Sequence, residues 1–256
     1  MVSTVWVIGI GTGDPGLVTY EAAEALRTVD VFLVADKGEI KHDLVEARQA
    51  LCEHFIGDTH PYRFVEVPDP RRGPDAERDT AAYTEGVRDW YAARVRAYAD
   101  IIDGLPADTQ VGFLVWGDPA FYDSTLRVVD RLRPECGPFE MQVIPGISAP
   151  QLLAARHAIA LNRIGTSIHI TTGRRLVEEY VPDLGDVVVM LDGYLTCREL
   201  VDRYPDLTIY WGAYLGGPHE VLRSGRLADI IDELVALRTR LREEHGWVMD
   251  TYLLRP

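Results

Sequence analysis

Three glycine-bearing turns carry the first chemical signal in this sequence. Gly9–Gly16 (GIGTGDPG), Gly117-Asp118-Pro119 and Pro145–Ala149 (PGISA) each follow a strand-forming run: Val5–Ile8, Val111–Trp116 and Glu140–Ile144. Turns at the carboxyl ends of parallel strands are where open α/β sheets hold ligands, so three of them predict one small-molecule crevice. The plainer alternative is that Gly-Asp-Pro and Pro-Gly are ordinary turn dipeptides. Gly9–Gly16 also invites comparison with a dinucleotide fingerprint. That fingerprint places its third glycine three positions after the second, whereas Gly13 follows Gly11 by two. A basic pair, Arg174-Arg175, stands after Gly173 at the end of another strand-like run, SIHITT. Guanidinium groups bind carboxylates bidentately, so the pair is either a carboxylate clamp, with Lys37 and Arg163 as helpers and Arg156 beyond them, or a solvated helix start. His169 lies in mid-strand and reads first as a satisfied histidine. Asp192, after VVVML, reads as a helix cap or a site group. The sequence holds no His-x-x-x-His, Cys-x-x-Cys or Gly-x-Ser-x-Gly, which disfavours metal hydrolases and nucleophile-elbow esterases and predicts no metal site.

These groups need a frame. Val29–Ala35 is nearly all apolar and predicts a strand buried on both faces, ending in the charged turn Asp36-Lys37-Gly38-Glu39. Helix is expected over His42–Phe55, and a strand at Phe64–Val67. Thr80–Ile102 shows Tyr83, Val87, Trp90, Tyr91, Val95, Tyr98 and Ile102 at three- and four-residue steps, an amphipathic helix whose aromatic stripe reads as core. Helix follows over Ser124–Leu132 and again after Ser148. Strand–helix alternation predicts a parallel sheet in an N-terminal α/β domain, residues 1–147. Strands at Ser167–Thr172, Val187–Leu191, Leu207–Gly212 and Glu220–Gly225, a helix from Leu227 to His245 and a last strand within Trp247–Leu254 predict a mixed sheet in a second α/β domain, residues 148–256.

Composition sets further limits. The chain has 256 residues, 47% of them hydrophobic, and a net charge of −14. That balance argues against a nucleic-acid partner, which needs a basic surface. An anionic small molecule held by a few local arginines remains compatible. Cys52, Cys136 and Cys197 are odd in number and far apart, so a disulfide framework is not expected and a reducing cytoplasm is. Neither a membrane-spanning run nor a signal peptide is read from the sequence.

The same motifs resemble those of the tetrapyrrole methyltransferases of the cobalamin and sirohaem pathways. Gly9-Ile10-Gly11-Thr12-Gly13-Asp14 with Thr19 is similar to that family's opening motif, Gly117-Asp118-Pro119 to its Gly-Asp-Pro loop, and Pro145-Gly146-Ile147-Ser148 to its Pro-Gly-x-Ser turn. Thr12 stands where most relatives have proline, and Gly212-Ala213-Tyr214-Leu215 departs from a common Ala-Thr-x-Pro run. The resemblance implies the family's two-domain fold, usually a homodimer, with S-adenosylmethionine folded into the cleft between domains. Carried over by position, cofactor contacts come from Gly117, Asp118, Pro119, Ser148, Ala149, Met190, Ala213 and Tyr214. Replacing Gly117 by valine is expected to remove cofactor binding and leave the fold intact. The glycine loop (Gly11, Thr12, Gly13) borders the substrate trough. An acidic chain must offset repulsion of the macrocycle's carboxylates, which is the role implied for Lys37, Arg163, Arg174 and Arg175.

Within the family, ADKGE (Ala35–Glu39), VWGDPAFYDST (Val115–Thr125), LNRIG, HITTGRR, YWGAYLG and GWVMDTYLLR resemble the member type that methylates C1 of precorrin-5 with loss of acetate, giving precorrin-6A and S-adenosylhomocysteine. Methyl transfer needs mainly alignment. Loss of the acetyl group calls for an activated water, and Asp36, Asp123 and His169 are the candidate bases. The rival readings are a methylase of the same fold acting at another ring position or on a non-tetrapyrrole, and a non-catalytic nucleoside-binding module.

Overall fold

Val5, Val7 and Ile8 are wholly buried because their strand has neighbours on both sides and helices on both faces. The computed structural model describes residues 2–36, 42–68 and 80–256. It divides into two compact units, Met1–Ile147 and Ser148–Pro256.

The first unit contains β1 (Thr4–Gly9), α1 (Tyr20–Leu26), β2 (Val31–Asp36), α2 (His42–Phe55), β3 (Arg63–Pro68), α3 (Thr80–Asp103), β4 (Gln110–Val115), α4 (Thr125–Cys136) and β5 (Glu140–Ile144). Its sheet runs β3-β2-β4-β1-β5 with every pair parallel. The two-residue period of a strand sorts the apolar side chains. Val5, Val7, Leu33, Val111 and Phe113 pack with Val95, Tyr98 and Ile102 of α3 and Val128, Val129 and Leu132 of α4. Ile8, Phe32, Leu114 and Ile144 pack on the opposite face with Ala22, Ala25 and Leu26 of α1 and Leu51 and Cys52 of α2. Each fully buried Val, Leu, Ile or Phe contributes about 1.5–3 kcal/mol, which holds the helices to the sheet. Thr19 caps α1, its Oγ1 accepting from Ala22 N–H at 3.1 Å. The stripe of α3 is core at Tyr98, whose ring meets Phe113 edge-on at 5.1 Å. One boundary differs from expectation. The helix expected over Ser124–Leu132 continues through Pro134 to Cys136 and stops at Gly137, φ 78. Burial of Cys136 in line with Val128, Val129 and Leu132 carries the last turn past the proline.

The second unit contains α5 (Ala149–Arg156), β6 (Ile168–Thr172), α6 (Gly173–Glu179), β7 (Asp186–Met190), β8 (Thr208–Ala213), β9 (Val221–Arg226), α7 (Leu227–His245) and β10 (Asp250–Arg255). Its sheet runs β6-β7-β10-β8-β9; β6 and β7 are parallel and the other pairs antiparallel. The sheet is therefore mixed, with the C-terminal strand at its centre. Thr251–Leu254 are buried accordingly. Leu227, Ile231, Leu234, Leu237 and Leu241 of α7 cover one face over Val187, Val189, Trp211 and Leu254. α5 begins with Ser148, whose N–H and Oγ both donate to Gln151 Oε1, at 2.9 and 2.8 Å.

Candidate functional site

Because β4, β1 and β5 are adjacent, the turns that follow them meet. Gly11 N–H donates to Gly117 O at 3.3 Å and Gly117 N–H to Gly11 O at 2.5 Å, an antiparallel bridge across the ends of parallel strands. Asp118 ties in the third turn: its Oδ2 accepts from Gly146 N–H at 3.0 Å and its Oδ1 from Ala120 N–H at 2.8 Å. The glycines here serve close approach. A Cβ on Gly9 would stand 2.5 Å from Gly146 N and 2.9 Å from Gly117 O, and one on Gly146 would fall on the Gly117 carbonyl oxygen. Backbone meets backbone, so no flexible side chain can yield. Gly117 also has φ 66. The expectation that Gly117→Val spares the fold is therefore corrected: a β-branched residue is strained at that φ, beside a bridge that leaves little room.

A 3-10 turn, Pro15–Leu17, separates the glycine loop from α1, and Thr19 occupies the helix cap. The loop thus does not present a helix N-terminus to a pyrophosphate. Instead Gly13, at φ 102, lies under the Trp116 ring, where a Cβ would come within 2.6 Å. Two buried polar atoms border this turn without a hydrogen-bond partner among the described residues, Thr12 Oγ1 and Trp116 Nε1.

Beside Trp116 opens a cavity of about 100 Å³, between the carboxyl ends of β2 and β4, the helices α2 and α3 and the start of α4. Arg48 and Arg94 line it with Asp123 and Ser124. The Arg48 guanidinium lies over the Trp116 ring at 5.1 Å and donates from Nε to Leu114 O at 3.3 Å and from Nη1 to Leu44 O at 3.0 Å. Burial pulls this guanidinium down to about 10, and the nearby Asp123 carboxylate opposes the shift. Arg94 stacks on Trp90 at 4.8 Å and donates to Ser124 Oγ at 3.3 Å. Asp123 Oδ1 accepts from Thr125 N–H at 2.6 Å, at the first turn of α4. Sequence reasoning missed both arginines. Arg94 left a trace: it sits four residues from Trp90 and four from Tyr98, so it interrupts an otherwise aromatic stripe. Arg48 left none.

Of the other candidates in this unit, Asp36 closes β2 but its side chain lies outside the described residues, as do Lys37 and Glu39.

In the second unit, register gathers a separate set at one sheet edge. Met190 pairs with Thr172 across β6, and Val189 aligns through Tyr252 with Trp211, so Met190 and Gly212 end neighbouring rows about 10 Å apart. Arg174 and Arg175, Met190, Ala213 and Tyr214 thus share the edge where β6, β7 and β8 end. Ala213 is fully buried. Tyr214, at φ 50, donates its N–H to Met249 O at 2.8 Å and its hydroxyl to Trp247 O. Arg174 and Arg175 open α6, and Arg175 Nε reaches Glu179 Oε1 at 2.5 Å. Glu179 also accepts from Thr171 Oγ1 at 2.6 Å, and His169 Nε2 lies 3.3 Å from it. His169 is therefore engaged in a surface cluster, in keeping with its plainer reading. Asp192 proves structural: it accepts from Tyr194 N–H, Thr196 N–H, Thr196 Oγ1 and the Tyr252 hydroxyl, at 2.6 to 3.0 Å.

Arg163 is not brought to this edge. Its backbone N–H donates to Asp186 Oδ2 at 2.9 Å, its Nε lies 3.5 Å from Asp186 Oδ1, and its Nη1 donates to Pro256 O. Asp186 starts β7, four residues or about 13 Å from Met190. A buried aspartate thus holds Arg163 at the other end of the strand from Met190. Arg156 is likewise occupied, with Nε 2.9 Å from Glu220 Oε1. Among the described residues no group of histidine, cysteine and acidic side chains is arranged to hold a metal ion.

Comparison with known proteins agrees with this architecture. The family model for tetrapyrrole (corrin/porphyrin) methylases matches residues 4–231. A precorrin-6A synthase [deacetylating] of Sinorhizobium sp. is 40% identical over 254 residues, covering 98% of this chain and 94% of the relative. A solved structure of the Corynebacterium diphtheriae protein CobF, described as related to cobalamin synthesis, superposes with a TM-score of 0.83 at 40% identity, covering 100% of this chain and 99% of the other. A uroporphyrin-III C-methyltransferase of Thermus thermophilus, solved with S-adenosylhomocysteine, shares the fold with a TM-score of 0.59 at 20% identity, over 99% and 97% of the two chains. With the parallel sheet, the mixed sheet and the three strand-end turns in place, this chain belongs to the tetrapyrrole (corrin/porphyrin) methylase family.

Proposed function

We propose that this protein is an S-adenosylmethionine-dependent C-methyltransferase that replaces the acetyl group on C1 of precorrin-5 with methyl, yielding precorrin-6A, acetate and S-adenosylhomocysteine. The observation that carries this reading is 40% identity, over nearly the full length of both chains, to a precorrin-6A synthase [deacetylating].

S-adenosylmethionine supplies an electrophilic methyl on a sulfonium sulfur. The turn residues suit such a group. Gly117, Asp118 and Pro119 bring one carboxylate and no cation, and the carboxylate oxygens order the Ala120 and Gly146 N–H groups. Gly117 has its own N–H and C=O engaged by Gly11, so it contributes close approach and not a hydrogen bond. In the second unit Met190, Ala213 and Tyr214 stand at the edge where β7 and β8 end and belong to the cofactor set in this reading. Ser148 and Ala149 complete the cofactor set in this reading. Gly11, Thr12 and Gly13 border the macrocycle, which suits the unpartnered Thr12 hydroxyl. Arg174 and Arg175, with Lys37, neutralise macrocycle carboxylates in this reading, and Arg175 also holds Glu179. Asp36, Asp123 and His169 are the base candidates in this reading, and Asp123 lines the cavity beside Arg48.

We also infer a homodimer in the cytoplasm. All three cysteines are free and buried, and burial pushes their thiols up to between about 11 and about 12, as inert thiols of a reducing compartment would be. Among the described residues no helix is long and apolar enough to cross a membrane. Sedimentation of the purified chain tests the dimer.

The test of function is incubation with methyl-labelled S-adenosylmethionine and precorrin-5, followed by mass analysis of the pigment and assay of acetate. Gain of one labelled methyl, loss of the acetyl group and one acetate per turnover are expected. A labelled pigment that keeps its acetyl group would identify a methylase of another ring position. No S-adenosylhomocysteine at all would leave only a binding module.

A further inference from the structure

The cavity beside Trp116 is too small for a macrocycle, since whole-ligand sites run to about 300–1,000 Å³ against about 100 Å³ here. Its walls are of two kinds. Leu33, Val34, Phe113 and Leu114 are apolar, while Arg48, Arg94, Asp123 and Ser124 are polar or charged. The hydrogen bonds of Arg48 run to two neutral carbonyls, Leu44 O and Leu114 O, in a place where burial already penalises its charge. Donors left so are stabilised by a compact group with an oxygen gaining negative charge at one end and carbon at the other. The cavity also sits at the carboxyl ends of β2 and β4, beside the glycine turns.

We propose that this pocket is the deacetylation subsite: it takes the acetyl group of the macrocycle and holds it as it departs as acetate. The proposal rests on the deacetylating reaction inferred above. Water adds to the acetyl carbonyl carbon, and its proton passes to Asp123 and on to solvent. Arg48 and Arg94 stabilise the oxyanion of the resulting tetrahedral species. The bond from that carbon to the ring carbon breaks, and its electron pair stays with the conjugated macrocycle, ready to take the sulfonium methyl. Acetic acid leaves and ionises, releasing a second proton. The apolar wall receives the methyl group of acetate.

Two measurements on the full chain test the proposal. In single-turnover rapid quench, Arg48→Met is expected to slow acetate release by about 100-fold or more, the usual loss for one oxyanion donor, while pigment affinity by absorbance titration stays within about twofold. Arg48→Lys is expected to restore part of the rate. In nuclear magnetic resonance, carbon-labelled acetate is expected to broaden on titration with the parent protein and not with Arg48→Met. If Arg48→Met fails to fold, Arg94→Met carries the same comparison. Parent-rate release in the variants, or a tenfold weaker pigment affinity with release intact at saturation, overturns the proposal; the second result would make the pocket a clamp for a peripheral carboxylate. A parent protein that methylates without releasing acetate overturns the reaction itself. That outcome is distinct, because the acetate titration still reads the pocket directly.

Discussion

Gly146→Ala is the sharpest perturbation of the strand-end turns. The added methyl would fall on the Gly117 carbonyl oxygen and stand 2.8 Å from Gly9 C and 2.9 Å from Gly9 Cα. Non-bonded carbons rest at about 3.5–4.0 Å, so β5 must retreat from β1 by roughly 0.6–1.2 Å, or the Gly117 peptide must turn. Overpacking of this kind costs about 1–3 kcal/mol, and the upper end applies where only backbone can yield. Alanine also stiffens the unfolded chain, which returns about 0.4–1 kcal/mol. The net loss is about 2 kcal/mol, or about 4–8 °C at the roughly 2–4 °C per kcal/mol expected for a chain of this size. Retreat of β5 also breaks the Gly146 N–H bond to Asp118, loosening the Gly-Asp-Pro loop. Scanning calorimetry gives the midpoint, and titration calorimetry with S-adenosylmethionine is expected to show affinity falling tenfold or more. Gly193→Ala is the control, since a Cβ there meets nothing within 4 Å. A Gly146→Ala protein that melts within about 1 °C of the parent and binds cofactor equally well would refute the closeness of the three turns.

Arg238→Met removes the partner of buried Asp250, whose Oδ2 lies 3.0 Å from Arg238 Nε, and should cost about 3–5 kcal/mol in urea unfolding. Burial, the largest influence, already raises Asp250, so the loss should shrink as acid protonates it; a loss constant from neutrality to acid would contradict this. Glu179 is held down to about 2 by hydrogen bonds from Thr171 and Arg175, then His169. Its folded value lies below its ordinary 4.5, so its stabilisation is complete above that pH and lost as pH falls towards about 2. Glu179→Gln should flatten the melting midpoint across that window, and an unchanged acid limb would count against the cluster. Arg174→Ala should raise the Michaelis constant for the pigment by roughly 10- to 150-fold, equivalent to about 1.5–3 kcal/mol for a charged contact, with cofactor affinity unchanged. An unchanged Michaelis constant would show that the clamp is misassigned.

The strands were legible because parallel strands buried on both faces read as continuous apolar runs, and because caps such as Thr19 and Ser148 mark where helices begin. Placement of β10 between β7 and β8 was not legible. Nothing in DTYLLR names its partners; only the burial of Thr251–Leu254 on both faces, a property of the finished sheet, does so. The meeting of the Gly9, Gly117 and Gly146 turns followed from motif positions, but their closeness did not, because glycine reports freedom and not what occupies it. The partner of Arg163 was hidden for a related reason. A surface-type residue near a basic cluster in sequence was captured by Asp186, 23 positions further on. Arg48 could not be found at all, since a single arginine in a helix looks solvated until the helix is docked.

Buried polar groups divide differently between the two units, and the division bears on where the reaction runs. In the second unit Asp192 is met by four donors, Asp186 by Arg255 and Arg163, and Asp250 by Arg238 and Trp211. Each of these charges holds strands or loops together and has no vacancy for a substrate. The unpartnered Tyr180 hydroxyl is not a counterexample, because burial lifts it to about 12 and its ring packs edge-on against Tyr204 at 4.8 Å. In the first unit two orphaned atoms belong to neighbouring groups: Thr12 Oγ1 is next to Gly13 in the chain, and Trp116 Nε1 belongs to the ring that meets Gly13 and lies under the Arg48 guanidinium. An unpaired buried donor costs about 1–3 kcal/mol, and two at one turn are hard to explain by packing alone. They are consistent with a strand edge shaped for a group that arrives with its own oxygens. Methyl transfer asks only for alignment and finds enough in small, uncharged edge residues, whereas breaking a carbon–carbon bond with water asks for donors and a base. Arg48, Arg94 and Asp123 belong to one unit for that reason.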